Sequence, residues 1–285
     1  MPPENKESTS RLVEMARASI PFRDSDAAFL SEGYWRTVRM LHLSADESVI
    51  AAATELLSGP YIGDRVLAAD ILAQAGTENP VRRVQAVTLL LPALESETHP
   101  DALASMAVAF GHLQEERAVP LLANLAQHPT EVVRRGVAYG LCGQDVPAAI
   151  EALITLSADA DSDVRNWATF GLGSQSSIDT VPLRDALAAR LQDADDETRG
   201  EALVGLALRG DLRIIPSFLH ELSTSSPDVL KEWCLITDAA EAAAEAARKQ
   251  PAREWCVLLE ALAPLGLAPA TSIRDALKVC TAFEP

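Results

Sequence analysis

The sequence predicts an all-α protein, an α-solenoid (superhelix) of stacked antiparallel helix pairs. Three observations predict it. The segment at residues 163–173, DVRNWATFGLG, recurs along the chain in imperfect copies. Each copy carries its apolar residues at helical spacing, and a second helical segment precedes most copies. Related segments every thirty residues or so mark a stacked repeat array.

The lead copy, VRNWATFGL at 164–172, is matched by VRRGVAYGL at 133–141 and TRGEALVGL at 198–206. Looser copies are DRVLAADIL at 64–72, LKEWCLI at 230–236 and AREWCVL at 252–258, with a degenerate ASMAVAFG at 104–111. Aligned on the basic residue, they give a ladder of Arg65, Arg134, Arg165, Arg199, Lys231 and Arg253, with Ser105 as the exception. Val164, Trp167, Ala168, Gly171 and Leu172 form the apolar stripe of an amphipathic helix. The preceding segments are 119–126, 146–156, 181–191 and 212–222. Three of them have Pro in second place, where a helix start tolerates the missing N–H. The short links carry Asp, Ser and Thr, which suit N-caps.

The run of Asp or Glu, Val-Arg, small residues and Leu-Gly, as in Asp163-Val164-Arg165 and Gly171-Leu172-Gly173, resembles the HEAT repeat family. It is most similar to the bacterial HEAT-like branch first described in phycobilisome lyases. The resemblance covers roughly residues 46–262 and is strongest over 117–210. It implies first helices on a convex face and second helices on a concave one. Members of the family are mostly scaffolds and adaptors, with a few enzymes, so fold alone does not set function.

Taken in order, residues 1–10 are polar and read as a disordered tail. Residues 11–285 read as a single HEAT-like solenoid, since a stacked array has one continuous core. Residues 11–19 predict a short helix stopped at Pro21. Residues 26–43 predict the second helix of an irregular first repeat. The pair 47–57 and 63–75 follows, then 79–94, interrupted by Pro92, and 102–113. The array is most regular over 117–240. An Ala/Glu-rich helix at 241–249, the copy at 254–262 and a helix at 272–280 follow. Atypical capping helices are expected at both ends.

Formal net charge is −17 over 285 residues. That opposes a general nucleic-acid binder, which needs a cationic surface, and docking on an anionic membrane. Most of the acids sit in turns, as solvated loops and caps do. No apolar run is long enough to span a membrane, and the N-terminus lacks the layout of a signal peptide, so a cytoplasmic, monomeric protein is expected. Cys142, Cys234, Cys256 and Cys280 are far apart, without a CxxC, and read as buried thiols rather than zinc ligands or disulfides. Trp35, Trp167, Trp233 and Trp255 read as core residues.

The ladder cations are expected to bond turn carbonyls and neighbouring carboxylates. Recognition is sought elsewhere on the second helices. Five places after the ladder stand Asp70, Phe110, Tyr139, Phe170, Val204, Ile236 and Leu258; one place after it, pointing most directly outward, stand Val66, Met106, Arg135, Asn166, Gly200, Glu232 and Glu254. Met106, Phe110, Arg135, Tyr139, Asn166 and Phe170 therefore form a candidate strip for a protein or peptide, of residue types enriched at recognition surfaces. The alternative is that the rings pack between neighbouring helices.

No cofactor, metal or catalytic constellation is expected. The five His residues make no HxxxH motif, and GxGxxG, GxxxxGK[ST] and GxSxG are absent. HEAT-repeat hydroxylases carry several His-Glu dipeptides, and this chain has only His220-Glu221. The reading is a non-catalytic scaffold or adaptor. The alternative is an enzyme or enzyme subunit of lyase-like or DNA-glycosylase-like type, disfavoured by the charge and the missing motifs.

Overall fold

In the computed structural model, residues 3–18, 32–44, 47–77 and 79–282 are described. Over the described residues the chain is 78% helical, and no strand occurs among them. Its contacts divide it into two compact units, Met1–Leu141 and Cys142–Pro285.

Among the described residues, unit 1 holds four helix pairs: α1 (Pro3–Ala18) with α2 (Glu32–Ser44), α3 (Glu47–Leu57) with α4 (Ile62–Thr77), α5 (Pro80–Ser96) with α6 (Pro100–Leu113), and α7 (Val119–Leu125) with α8 (Glu131–Leu141). The second helices α2, α4, α6 and α8 stack in that order, and α1, α3 and α5 stack beside them. Starts are set locally. Asn79 accepts from the N–H groups of Val81 and Arg82 ahead of a Pro at the first turn, which satisfies donors that a helix leaves unpaired.

Unit 2 repeats the plan: α9 (Pro147–Leu156) with α10 (Ser162–Gly173), α11 (Val181–Arg190) with α12 (Asp196–Leu208), α13 (Ile214–Thr224) with α14 (Pro227–Glu232) and α15 (Cys234–Lys249), and α16 (Arg253–Leu262) with α17 (Ala270–Thr281). Asp161 and Asp195 cap α10 and α12. The stack of second helices is α10, α12, α15, α17, and α16 lies against α13.

Three expectations change. Residues 3–10 are not a tail but the first half of α1. Thr9 is buried against Ser48, 2.7 Å between hydroxyls, and Arg17 grips Asp64 with two 2.7 Å bonds, so α1 docks on α3 and α4. Next, 230–236 is not one helix: the chain breaks at Trp233 (φ −86°, ψ 96°), and 241–249 belongs to α15. Finally, α16 is a first helix, packed on α13, although it carries the second-helix signature. Its place in the ladder is therefore accidental, and Lys231 and Arg253 are both exposed. The stop expected at Pro21 and residues 26–31 lie outside the described residues.

The rest of the ladder works as a two-handed fastener. In each case one guanidinium nitrogen bonds the two carbonyls of its own turn. Arg65 takes Gly59 and Pro60, Arg134 takes His128 and Pro129, Arg165 takes Asp159 and Ala160, and Arg199 takes Asp193 and Ala194. The other nitrogens of Arg65, Arg165 and Arg199 reach a carboxylate of the next repeat: Glu97, Asp193 and Glu221. Asp193 is shared. Its carboxylate receives Arg165, and its carbonyl receives Arg199. At the exception, Ser105 bonds Asp70 at 2.8 Å, and Tyr34 donates to the same carboxylate at 2.6 Å. Two departures from the repeat pattern thus satisfy one another.

Glycine sets the spacing of the second helices. A Cβ on Gly205 would stand 2.5 Å from the Cα of Gly173, and one on Gly140 2.4 Å from the carbonyl oxygen of Ala107. Gly205→Ala should therefore destabilise by about 1–3 kcal/mol through overpacking, although helix propensity alone favours Ala; urea unfolding reads the sign. Asp193 carries a second expectation. Burial alone would raise its pKa, but the bonds from Arg165 and the Asp195 N–H hold it below its ordinary 3.8. That stability is present above pH 3.8 and is lost as pH falls through the folded value. Asp193→Asn should be less stable than the parent at neutral pH, with the gap closing in acid.

Candidate functional site

The outward sides of the second helices carry two groups of half-buried side chains. In unit 1, α8 presents Arg135 and Tyr139. The Tyr139 ring lies over Gly111 of α6, whose Cβ, if present, would fall 2.8 Å from the ring. Its hydroxyl is 3.3 Å from His112 Nε2, and the two ring centroids are 5.3 Å apart. Burial pushes the His112 pKa down, which favours the neutral imidazole beside the tyrosine.

In unit 2, α10 presents Asn166, Trp167 and Phe170, all half-buried. Trp167 and Phe170 meet edge to face, centroids 5.8 Å apart, a preferred geometry for aromatic pairs. The Asn166 Oδ1 is buried without a hydrogen-bond partner. Of the four tryptophans expected in the core, Trp255 is buried, Trp167 and Trp233 are half-buried, and Trp35 is exposed. Cys234, expected in the core, is exposed, because the break at Trp233 turns it out of register.

Met106 and Phe110 do not belong to this surface. They are 1% and 0% exposed. The five-place position is a packing position in three of the five second helices that carry it unbroken, since Asp70, Phe110 and Val204 are buried. Tyr139 and Phe170 are its exceptions.

Two residues carry physical consequences beyond those the sequence reading gave them. One is Trp233. Gly200 holds in α12 the outward place of Arg135 and Asn166, but it is buried beneath Trp233 and Leu235. A Cβ there would stand 2.7 Å from Leu235 and 3.1 Å from the indole. The chain thus covers its own second-helix surface at α12, and the indole N–H is buried without a partner. The other is Glu201, two places after the ladder, where other copies hold Leu67, Ala107, Gly136, Trp167 and Trp255. A carboxylate in that register was the available signal. Glu201 is 8% exposed and takes a 2.7 Å bond from the Ser174 hydroxyl. Burial, with Glu197 and Asp238 nearby, raises its pKa.

Cys142 is buried enough that its thiol is pushed up to about 12, which makes it a poor nucleophile. Among the described residues no group of three or more His, Cys, Asp and Glu is placed to hold a metal ion, and no helix is long and apolar enough to cross a membrane.

Stacked helix pairs with this ladder define an all-α helical-repeat protein. Residues 87–173 match the family model described as HEAT repeats. Over 94 residues the chain is 36% identical to Protein YibA of Escherichia coli strain K12, a match spanning 33% of this chain and 33% of that relative. The crystal structure of Escherichia coli YibA aligns with 98% of each chain, with a TM-score of 0.65 at 22% identity. The crystal structure of an engineered protein aligns with 97% of this chain and 94% of its own, with a TM-score of 0.50 at 16% identity. At these identities the structural likenesses speak for the fold.

The buried acid gives a signed test. A pKa raised above the ordinary 4.5 means that the folded form holds the proton more tightly than the unfolded chain. The associated stability is present below pH 4.5 and is lost as pH rises through the folded value. Glu201→Gln should raise the urea midpoint at pH 7, and the advantage should vanish below pH 4.5.

Proposed function

We propose that this protein is a non-catalytic scaffold that binds a protein or peptide through the second-helix surface. In unit 1 the contact residues are Arg135 and Tyr139 on α8, and in unit 2, taken by itself, they are Asn166 and Phe170 on α10. The observation that carries this reading is the pair of half-exposed aromatics, Tyr139 and Phe170, at a place where the sister residues Asp70, Phe110 and Val204 are buried. Each aromatic has a polar residue one turn earlier on the same side. Partly exposed aromatics beside Arg and Asn are what recognition surfaces favour. HEAT-like repeats supply the stiff frame that such surfaces need. The partner is a polypeptide rather than nucleic acid, because a chain of net charge −17 gains little from counterion release.

The test is affinity capture from native lysate with the parent and a Tyr139→Ala/Phe170→Ala variant. A protein held by the parent and lost by the folded variant supports the proposal, and the loss should be about 1–3 kcal/mol per ring once the partner is purified. Equal recovery by both moves the surface elsewhere. A large fall in melting temperature without a change in capture assigns the rings to packing.

A further inference from the structure

Glu201 differs from the other buried acids among the described residues. Asp64, Asp193, Asp211 and Glu221 each hold an arginine, and Asp70 takes two hydroxyls. Glu201 receives only the Ser174 hydroxyl, on Oε2, and its charged neighbours are the exposed acids Glu197 and Asp238. Its Oε1 accepts no hydrogen bond among the described residues, and the residue keeps an 8% opening to solvent.

This carboxylate adjoins the contact residues on α10. Asn166, Phe170 and Ser174 recur every four places, so they lie one above another on one face of the helix. The Ser174 N–H closes its turn on the Phe170 carbonyl at 2.9 Å. The hydroxyl that reaches Glu201 therefore stands one turn beyond the Phe170 ring, which Trp167 meets edge to face. At the other end, Asn166 Oδ1 is buried and has no donor among the described residues. The strip offers an unused acceptor at each end and aromatic surface between them.

We propose that this strip takes a basic side chain, arginine or lysine, from the partner polypeptide, with its cation at Glu201 and its stem along Phe170. The inference names the chemistry of the partner and rests on the scaffold reading for unit 2. Charge selects the occupant. A buried carboxylate between two further acids is costly as an ion, and a guanidinium or ammonium supplies both the missing charge and the missing donor. Aromatic rings attract cations and pack against their apolar stems. The net charge of −17 draws a basic segment in from a distance.

The test is selection of displayed random peptides of about 12 residues, about 40 Å when extended, on the parent, with counter-selection on Phe170→Ala. Peptides kept by the parent and lost by that variant are remade with each Arg replaced in turn by citrulline and each Lys by norleucine. Their Kd values are read by fluorescence anisotropy. At one basic position the replacement should weaken binding to the parent at least about tenfold. Glu201→Gln should weaken the unmodified peptide by a similar factor and make the replacement nearly neutral, the non-additivity expected of a direct pair. Glu254→Gln, an equal change of charge at an exposed place on α16, should alter neither value. The urea midpoint of Glu201→Gln checks that it is folded. Phe170-dependent peptides that hold no basic residue, or that bind Glu201→Gln as tightly as the parent, overturn this inference and leave the scaffold reading standing. The absence of any Phe170-dependent peptide overturns both.

Discussion

A guanidinium that bonds two repeats at once is the interaction on which the rest of this structure depends. The turn before each second helix has carbonyls that no helix satisfies. Arg65, Arg165 and Arg199 satisfy two of them and spend their remaining donors on the next repeat. The pairing is shielded: the Asp193 side chain is 3% exposed and that of Arg165 13%. A charge pair so placed is costly to break from one side, because the survivor is left buried and unpaired. The ladder therefore fixes register from repeat to repeat.

Register has consequences for packing and for surface. The second helices approach closely enough that only Gly fits at Gly140 and Gly205. That closeness turns the five-place position inward in most repeats and leaves Tyr139 and Phe170 as half-open rings. Where the ladder lapses, the chain compensates with chemistry of another kind. Asp70, Ser105 and Tyr34 form a buried hydrogen-bonded set in unit 1. In unit 2, Lys231 lies exposed, and the second helix breaks two residues later. The break carries Trp233 onto Gly200, so one stretch of second-helix surface is covered from within.

Much of the fold was legible because its signals are local. The copies at 133–141, 164–172 and 198–206 carry period, cap and cation together, and they became α8, α10 and α12. The role of Arg65, Arg134, Arg165 and Arg199 was legible for the same reason. The AREWCVL segment misled because similarity of seven residues says nothing about which neighbour a helix meets. Its interval from Lys231, the shortest in the ladder, was the clue that α16 begins a pair instead of ending one. Residues 3–10 look polar, yet Thr9 finds a hydroxyl partner 39 residues away, and no local pattern announces such a contact. The candidate strip failed at Met106 and Phe110 for a related reason. Helical angle gives a direction, whereas burial depends on how near the next helix comes.

The most direct test of this account is a double-mutant cycle on Arg165 and Asp193, read by urea unfolding at neutral pH. If the ladder fastens repeat to repeat, the two alanine substitutions will be strongly non-additive, with a coupling energy above about 1 kcal/mol. The single Asp193→Ala change alone will cost about 3–5 kcal/mol. Additive losses, with coupling near zero, would mean that the guanidinium serves only its own turn, and the ladder would no longer explain how the repeats are held in register.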